Sequence, residues 1–103
     1  MQILERHIEA AGTRAIRKRW PEAESRKMNG YGFNSWPDRL YILPIGIYVW
    51  VEYKRPGGVL TKAQAYFHRW IAKDLGINVY VCTSKEEAIQ ACEAEIRAAQ
   101  VSD

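Results

Sequence analysis

Residues 36 to 54 read Trp36-Pro37-Asp38-Arg39-Leu40-Tyr41-Ile42-Leu43-Pro44-Ile45-Gly46-Ile47-Tyr48-Val49-Trp50-Val51-Glu52-Tyr53-Lys54. Two runs rich in β-branched and aromatic residues, Trp36–Leu43 and Ile47–Tyr53, flank the short turn signal Pro44-Ile45-Gly46. That pattern predicts a β-hairpin. Apolar residues occupy both alternating sets through its middle, so the pair is expected to be buried on both faces. With the turn centred on Ile45, Leu43 faces Ile47 and, further along the ladder, Asp38 faces Glu52. Directly opposed residues project from one face with Cβ atoms roughly 4.5–5.5 Å apart. Lys54, two residues beyond Glu52, shares that face.

Downstream, Arg55-Pro56-Gly57-Gly58 turns the chain into a predicted helix, Lys62 to Leu75. Thr61 and Gln64 have capping-box spacing, Ala63, Tyr66, Phe67, Trp70 and Ile71 supply an apolar face, and Gly76 stops the helix. Ile77 to Cys82 is a short apolar strand. Ser84 and Glu87 form a second capping box ahead of a third helix, with Ala88, Ile89, Cys92 and Ile96 inward. Upstream, Leu4, Ile8, Ala11 and Ala15 recur at helical spacing from Gln2 to about Arg19, and Pro21 ends the run. The polar stretch from Glu22 to Ser35 is a loop with a short strand near Arg26 to Met28. A strand, a helix and a strand in succession imply a parallel crossover, so the expectation is an α/β fold with a mixed sheet flanked by helices.

At 103 residues, 48% apolar and 26% charged, the chain is one globular domain spanning 1–103. No apolar run nears the roughly 20 residues that span a bilayer, and the charged start is unlike a secretory signal. Two cysteines, Cys82 and Cys92, make no secreted disulfide framework and read as core, so a reducing intracellular compartment is expected. Residues 1–80 carry 13 basic and 7 acidic side chains, whereas residues 81–103 carry 2 and 5. The positive field, +6 against −3, makes a polyanion a plausible partner.

Two facing carboxylates repel unless a cation or a proton lies between them. Asp and Glu oxygens suit Mg²⁺ or Mn²⁺. Carboxylates, a divalent ion and an adjacent lysine together meet the needs of phosphodiester hydrolysis: an activated water and charge neutralisation at phosphorus. Read without any motif, Asp38 and Lys54 fit better as strand-end charges facing water, and Asp38 after Pro37 also suits a turn.

The string Trp36-Pro37-Asp38-Arg39-Leu40, Val51-Glu52-Tyr53-Lys54-Arg55-Pro56-Gly57-Gly58, Leu60-Thr61 and Gln64 resembles the VRR-NUC family of the PD-(D/E)XK nuclease superfamily. The resemblance runs from about residue 5 to residue 87. It implies a restriction-endonuclease-like αβββαβ core and a metal-dependent endodeoxyribonuclease. Asp38 and Glu52 then match the metal carboxylates, the Tyr53 backbone carbonyl a further ligand, Lys54 the catalytic lysine, and Gln64 the helix glutamine beside the site. The family's acidic residue on the first helix falls on Glu9, with Glu5, one turn earlier, in reserve. Lys27 falls where relatives often carry a lysine.

The implied cofactor is Mg²⁺ or Mn²⁺, with no organic cofactor. The implied partner is DNA, branched as in Holliday junctions, bound by a homodimer like those of standalone junction-resolving relatives. Arg14, Lys18, Lys27, Arg39, Arg55 and Lys62 are the basic residues available to phosphates, although Arg14, Arg17, Lys18 and Arg19 also suit the negative pole of the first helix. Small relatives of this kind are common in bacteriophages, which implies a viral source and action in the host cytoplasm. The competing reading is a silent or partner-dependent nucleic-acid-binding module on the same fold. Tyr31, Phe33 and Trp36 could stack on unpaired bases, whereas His7 and His68 are expected at the surface.

Overall fold

A computed structural model describes residues 4–29 and 35–101. Helix α1, Glu5–Arg19, leads into strand β1, Glu24–Lys27. Strands β2, Arg39–Leu43, and β3, Ile47–Tyr53, follow, joined by a single 3₁₀ turn at Pro44–Gly46. Helix α2, Lys62–Leu75, connects β3 to β4, Val79–Cys82, and α3, Lys85–Val101, completes the described chain. The sheet has the order β1-β2-β3-β4. The first three strands are antiparallel, and β4 lies parallel to β3. This is a mixed sheet flanked by helices, consistent with the restriction-endonuclease-like expectation.

The hairpin register is the predicted one: Leu43 pairs with Ile47 and Arg39 with Val51. The first strand, however, begins at Arg39 rather than Trp36. Pro37 has no N–H to donate, and Asp38 uses its side chain where the ladder would use a backbone carbonyl, accepting from Tyr53 N–H at 2.7 Å. At the turn, Ile45 and Gly46 both have positive φ, 62° and 76°. A β-branched residue there is strained.

Only one face of the sheet is fully covered. Tyr41, Leu43, Val49, Val51, Tyr53 and Cys82 pack with Ile8 and Ile16 of α1 and Ala88, Ala91 and Cys92 of α3 in one buried cluster. Beneath it, Tyr41 Oη bonds Thr13 Oγ1 at 2.7 Å and Tyr53 Oη at 2.8 Å, linking α1 to both hairpin strands. Gly12 permits this approach, since a Cβ there would stand 2.8 Å from Tyr53 Cε1 and Cζ. Both cysteines are free and buried, and burial pushes each thiol up to about 12.

The opposite face corrects the expectation of burial on both sides. Tyr48 is exposed, Trp50 half-buried, and α2 covers the face through few residues. Trp36 sits 5.3 Å from Trp50 and 5.1 Å from Phe67, ring centre to ring centre. Of the predicted apolar face of α2, Ile71 is buried and Phe67 half-buried, but Ala63, Tyr66 and Trp70 are exposed. The residue buried with Ile71 is His68. The capping box of α2 closes in both directions, Gln64 N to Thr61 Oγ1 at 3.0 Å and Thr61 N to Gln64 Oε1 at 2.9 Å. Ahead of α3, Ser84 accepts from Glu87 N, but the Glu87 carboxylate reaches back to Thr83 N and Oγ1 instead of closing the predicted box.

Candidate active site

The site lies where β2 begins and β3 ends. Asp38, one residue before β2, is buried and bonded on both oxygens: Oδ2 accepts from Tyr53 N–H and Oδ1 from the Asn29 amide. Its backbone carbonyl accepts from Met28 N at 2.8 Å, so β1 and β3 together set its direction. Glu52, 2% exposed, projects from the β3 face that α2 covers. Its Oε2 is approached by Lys54 Nζ at 3.7 Å and by the Gln64 amide at 3.4 Å. Lys54 is itself buried, its N–H held by Cys82 O at 2.9 Å. Thus β4, pairing in parallel with β3, helps hold the end of the strand that bears Glu52 and Lys54.

The electrostatics are those of a crowded anionic cluster. Burial, and then the neighbouring Asp38 charge, push Glu52 up to about 8. Burial also raises Asp38, partly offset by the Tyr53 N–H bond. Two carboxylates so placed hold a proton or require a cation.

Helix α1 adds two more acids. Glu9 is buried, and its Oε2 accepts from Arg39 Nε at 2.7 Å and Lys27 Nζ at 3.2 Å. It lies close enough to raise the Asp38 carboxyl. Glu5, one turn earlier, raises Glu52 and accepts from Arg55 N at 3.4 Å. The two α1 acids therefore divide between the two site carboxylates, Glu9 toward Asp38 and Glu5 toward Glu52.

The basic residues separate into groups. Lys27 and Arg39 are tied to Glu9, and Arg39 also reaches Ser25 Oγ at 3.0 Å. Arg55 and Lys62 are exposed beyond β3 and at the start of α2. Arg14 and Lys18 instead line a groove between α1 and α3, shared with Glu86 and Glu93. Tyr31 and Phe33 lie outside the described residues, and Trp36 is engaged with Trp50 and Phe67.

Two residues here escaped the sequence reading. His68 is 8% exposed, not at the surface, and its Nε2 stands 3.9 Å from Glu52 Oε1. Burial, then the Lys54 charge, hold its imidazole below the usual range. It lies four residues after Gln64, hence on the same helix face; that spacing was the available signal. Asn29 carried no signal, because its role depends on where β1 ends.

Among the described residues, no three His, Cys, Asp or Glu side chains converge into a complete metal cage. The donor chemistry nonetheless fits a hard divalent ion. Asp38 and Glu52 lie close enough to act on each other, and Glu52 Oε1 is buried without a hydrogen-bond partner among the described residues. No helix among them is long and apolar enough to cross a membrane.

No known family's sequence profile matches the chain, and no curated protein sequence matches it. A solved structure described as "VRR_NUC domain" is similar, with a TM-score of 0.66 and 27% identity, covering 82% of this chain and 94% of that one. The motif string, the mixed four-stranded sheet and this likeness together support the VRR-NUC family for the chain, as a nuclease-type domain.

Proposed function

We propose that the chain is a metal-dependent endodeoxyribonuclease acting on branched DNA, such as four-way junctions, as a homodimer. The observation that carries this reading is the buried Asp38–Glu52 pair with Lys54 beside it, since two carboxylates cannot both ionise there without a compensating cation. Held by Asp38, Glu52, the Tyr53 carbonyl and Glu9, Mg²⁺ or Mn²⁺ would activate water and neutralise charge at phosphorus.

The chain's own residues do the positioning. Asp38 is aimed by the Tyr53 N–H and the Asn29 amide. Gln64 restrains Glu52 Oε2, anchored in turn by the capping box of α2. Lys54 places a positive charge where a phosphate oxygen gains charge during hydrolysis. Arg55 and Lys62, both exposed, are available to the flanking backbone. Two copies about a two-fold axis would present two such sites to symmetric strands. A partner-dependent binding module is the second reading, favoured by the neutralisation of Glu9 by Arg39 and Lys27.

Incubating purified protein with junction, flap and linear DNA, in Mg²⁺, Mn²⁺ or chelator, decides between them. The nuclease reading expects cleavage of branched DNA that disappears in chelator. Metal-independent cleavage, or binding without cleavage of any substrate, overturns it. Sedimentation at micromolar concentration reports the mass, and a monomer that still prefers junctions removes the dimer from the explanation.

A further inference from the structure

Glu52 Oε1, His68 Nδ1 and His68 Nε2 are the buried side-chain polar atoms without a hydrogen-bond partner among the described residues. Two of them face each other across 3.9 Å, too far for a hydrogen bond. Leaving buried donors and acceptors unpaired is costly, because they lose their bonds to water and gain none in return. An imidazole nitrogen facing a carboxylate oxygen is a pair of metal donors. Two metal–ligand bonds of about 2.1 Å span up to about 4.2 Å, which accommodates the gap.

Both side chains are held in place. Glu52 projects from β3 with its other oxygen engaged by Lys54 and Gln64. His68 lies one turn beyond Gln64 on α2, whose N-terminus is closed by its capping box. The free oxygen of Glu52 is thus the one turned toward the imidazole.

We propose that His68 is a direct ligand of the divalent cation at Glu52, and that it gives the site a preference for imidazole-accepting first-row ions such as Mn²⁺ or Co²⁺ over Mg²⁺. Hard oxygens alone favour Mg²⁺, whereas imidazole ligation favours the transition ions. The inference rests on the metal-dependent reading above. It adds a nitrogen donor to a set otherwise made of oxygens.

The test is pulsed electron paramagnetic resonance of Mn²⁺ bound to the full chain in a nitrogen-free buffer. Protein with ¹⁵N-labelled histidine is compared with unlabelled protein. The expected result is a nitrogen coupling that changes with the isotope, persists in His7→Gln and is lost in His68→Gln. Calorimetry should show Mn²⁺ affinity falling about tenfold or more in His68→Gln with Mg²⁺ affinity within about twofold of the parent. Should His68→Gln fail to fold, a coupling that persists in His7→Gln makes the assignment, since His7 and His68 are the two histidines of the chain. Bound Mn²⁺ without histidine coupling overturns this inference and leaves the metal-dependent reading standing. Absence of any Mn²⁺ or Mg²⁺ binding overturns both.

Discussion

The backbone N–H of Tyr53 donates to Asp38 Oδ2 at 2.7 Å, closing the open end of the hairpin with a side chain instead of a further ladder bond. The carboxylate is therefore oriented by the same strand that carries Glu52 and Lys54. A shift of β3 against β2 would misplace all three groups at once.

Asp38→Asn should reduce cleavage by more than about 10²-fold, since it removes a carboxylate from the pair while leaving the pocket's shape. DNA binding should be retained or tightened, because a negative charge facing phosphate is gone. The amide can still accept from Tyr53 N–H, and Asn29 can rotate its own amide to meet the new donor, so folding should survive. Lys54→Met should lower turnover while leaving metal affinity largely intact. Gel-shift and single-turnover cleavage assays separate binding from chemistry, and cleavage at the parent rate in Asp38→Asn would refute the site.

Glu9→Gln should weaken metal binding more than Glu5→Gln, because Glu9 lies toward Asp38 and is the more enclosed. It should also lower stability by about 1–2 kcal/mol, since Arg39 and Lys27 lose a shared partner. Calorimetric titration with Mn²⁺ measures the first effect and urea unfolding the second. The reverse ranking in the titration would move the ligand one turn along α1.

Stability of the metal-free protein should fall as pH rises toward about 8. Glu52 is raised from 4.5 to about 8, so between those values the folded chain holds a proton that the unfolded chain has released. His68, lowered in the fold, acts in the opposite direction near its ordinary range. The Glu52 slope therefore stands out above about pH 7, at up to about 1 kcal/mol per pH unit. Glu52→Gln should flatten it, and so should a bound divalent ion, which takes the place of the proton. Urea unfolding at pH 7, 8 and 9, with chelator or Mn²⁺, measures this; a slope unchanged in Glu52→Gln would assign it elsewhere.

Gly12→Ala should destabilise the protein despite its better helix propensity. Alanine gains about 1 kcal/mol in a helix, but here its methyl meets the Tyr53 ring. Overpacking costs about 1–3 kcal/mol, and displacing Tyr53 breaks its buried bond to Tyr41, worth about 1 kcal/mol more. A fall of about 2 kcal/mol in urea unfolding is expected, and a gain would show that the ring yields freely.

Much of this was legible in the sequence because the hairpin is local. Its register follows from a three-residue turn and a period of two, so the Asp38–Glu52 opposition could be read from residue positions alone. The limits of α2 followed from Thr61, Gln64 and Gly76, which act on adjacent backbone. What escaped depends on contacts between distant elements. The spacing from Gln64 gave only the helix face of His68; its place at Glu52 needed β4 to pair with β3 and bring α2 over that side. Asn29 needed the end of β1, and the exposure of Tyr66 and Trp70 needed the thin cover on that side. Arg14 and Lys18 sit on the helical side, a placement that charge counting does not distinguish.

The parallel pairing of β3 with β4 also bears on the order in which the pocket forms. The β2–β3 hairpin closes a short loop, whereas β4 can dock only after the whole of α2 has been spanned, at greater entropic cost. The two carboxylates are therefore brought together early, and the amide and imidazole of α2 arrive late. Substitutions in the hairpin should chiefly slow refolding, and those in α2 should chiefly speed unfolding. For a nascent chain, the anionic floor of the pocket exists before its walls, and a cation that settles there can template the rest.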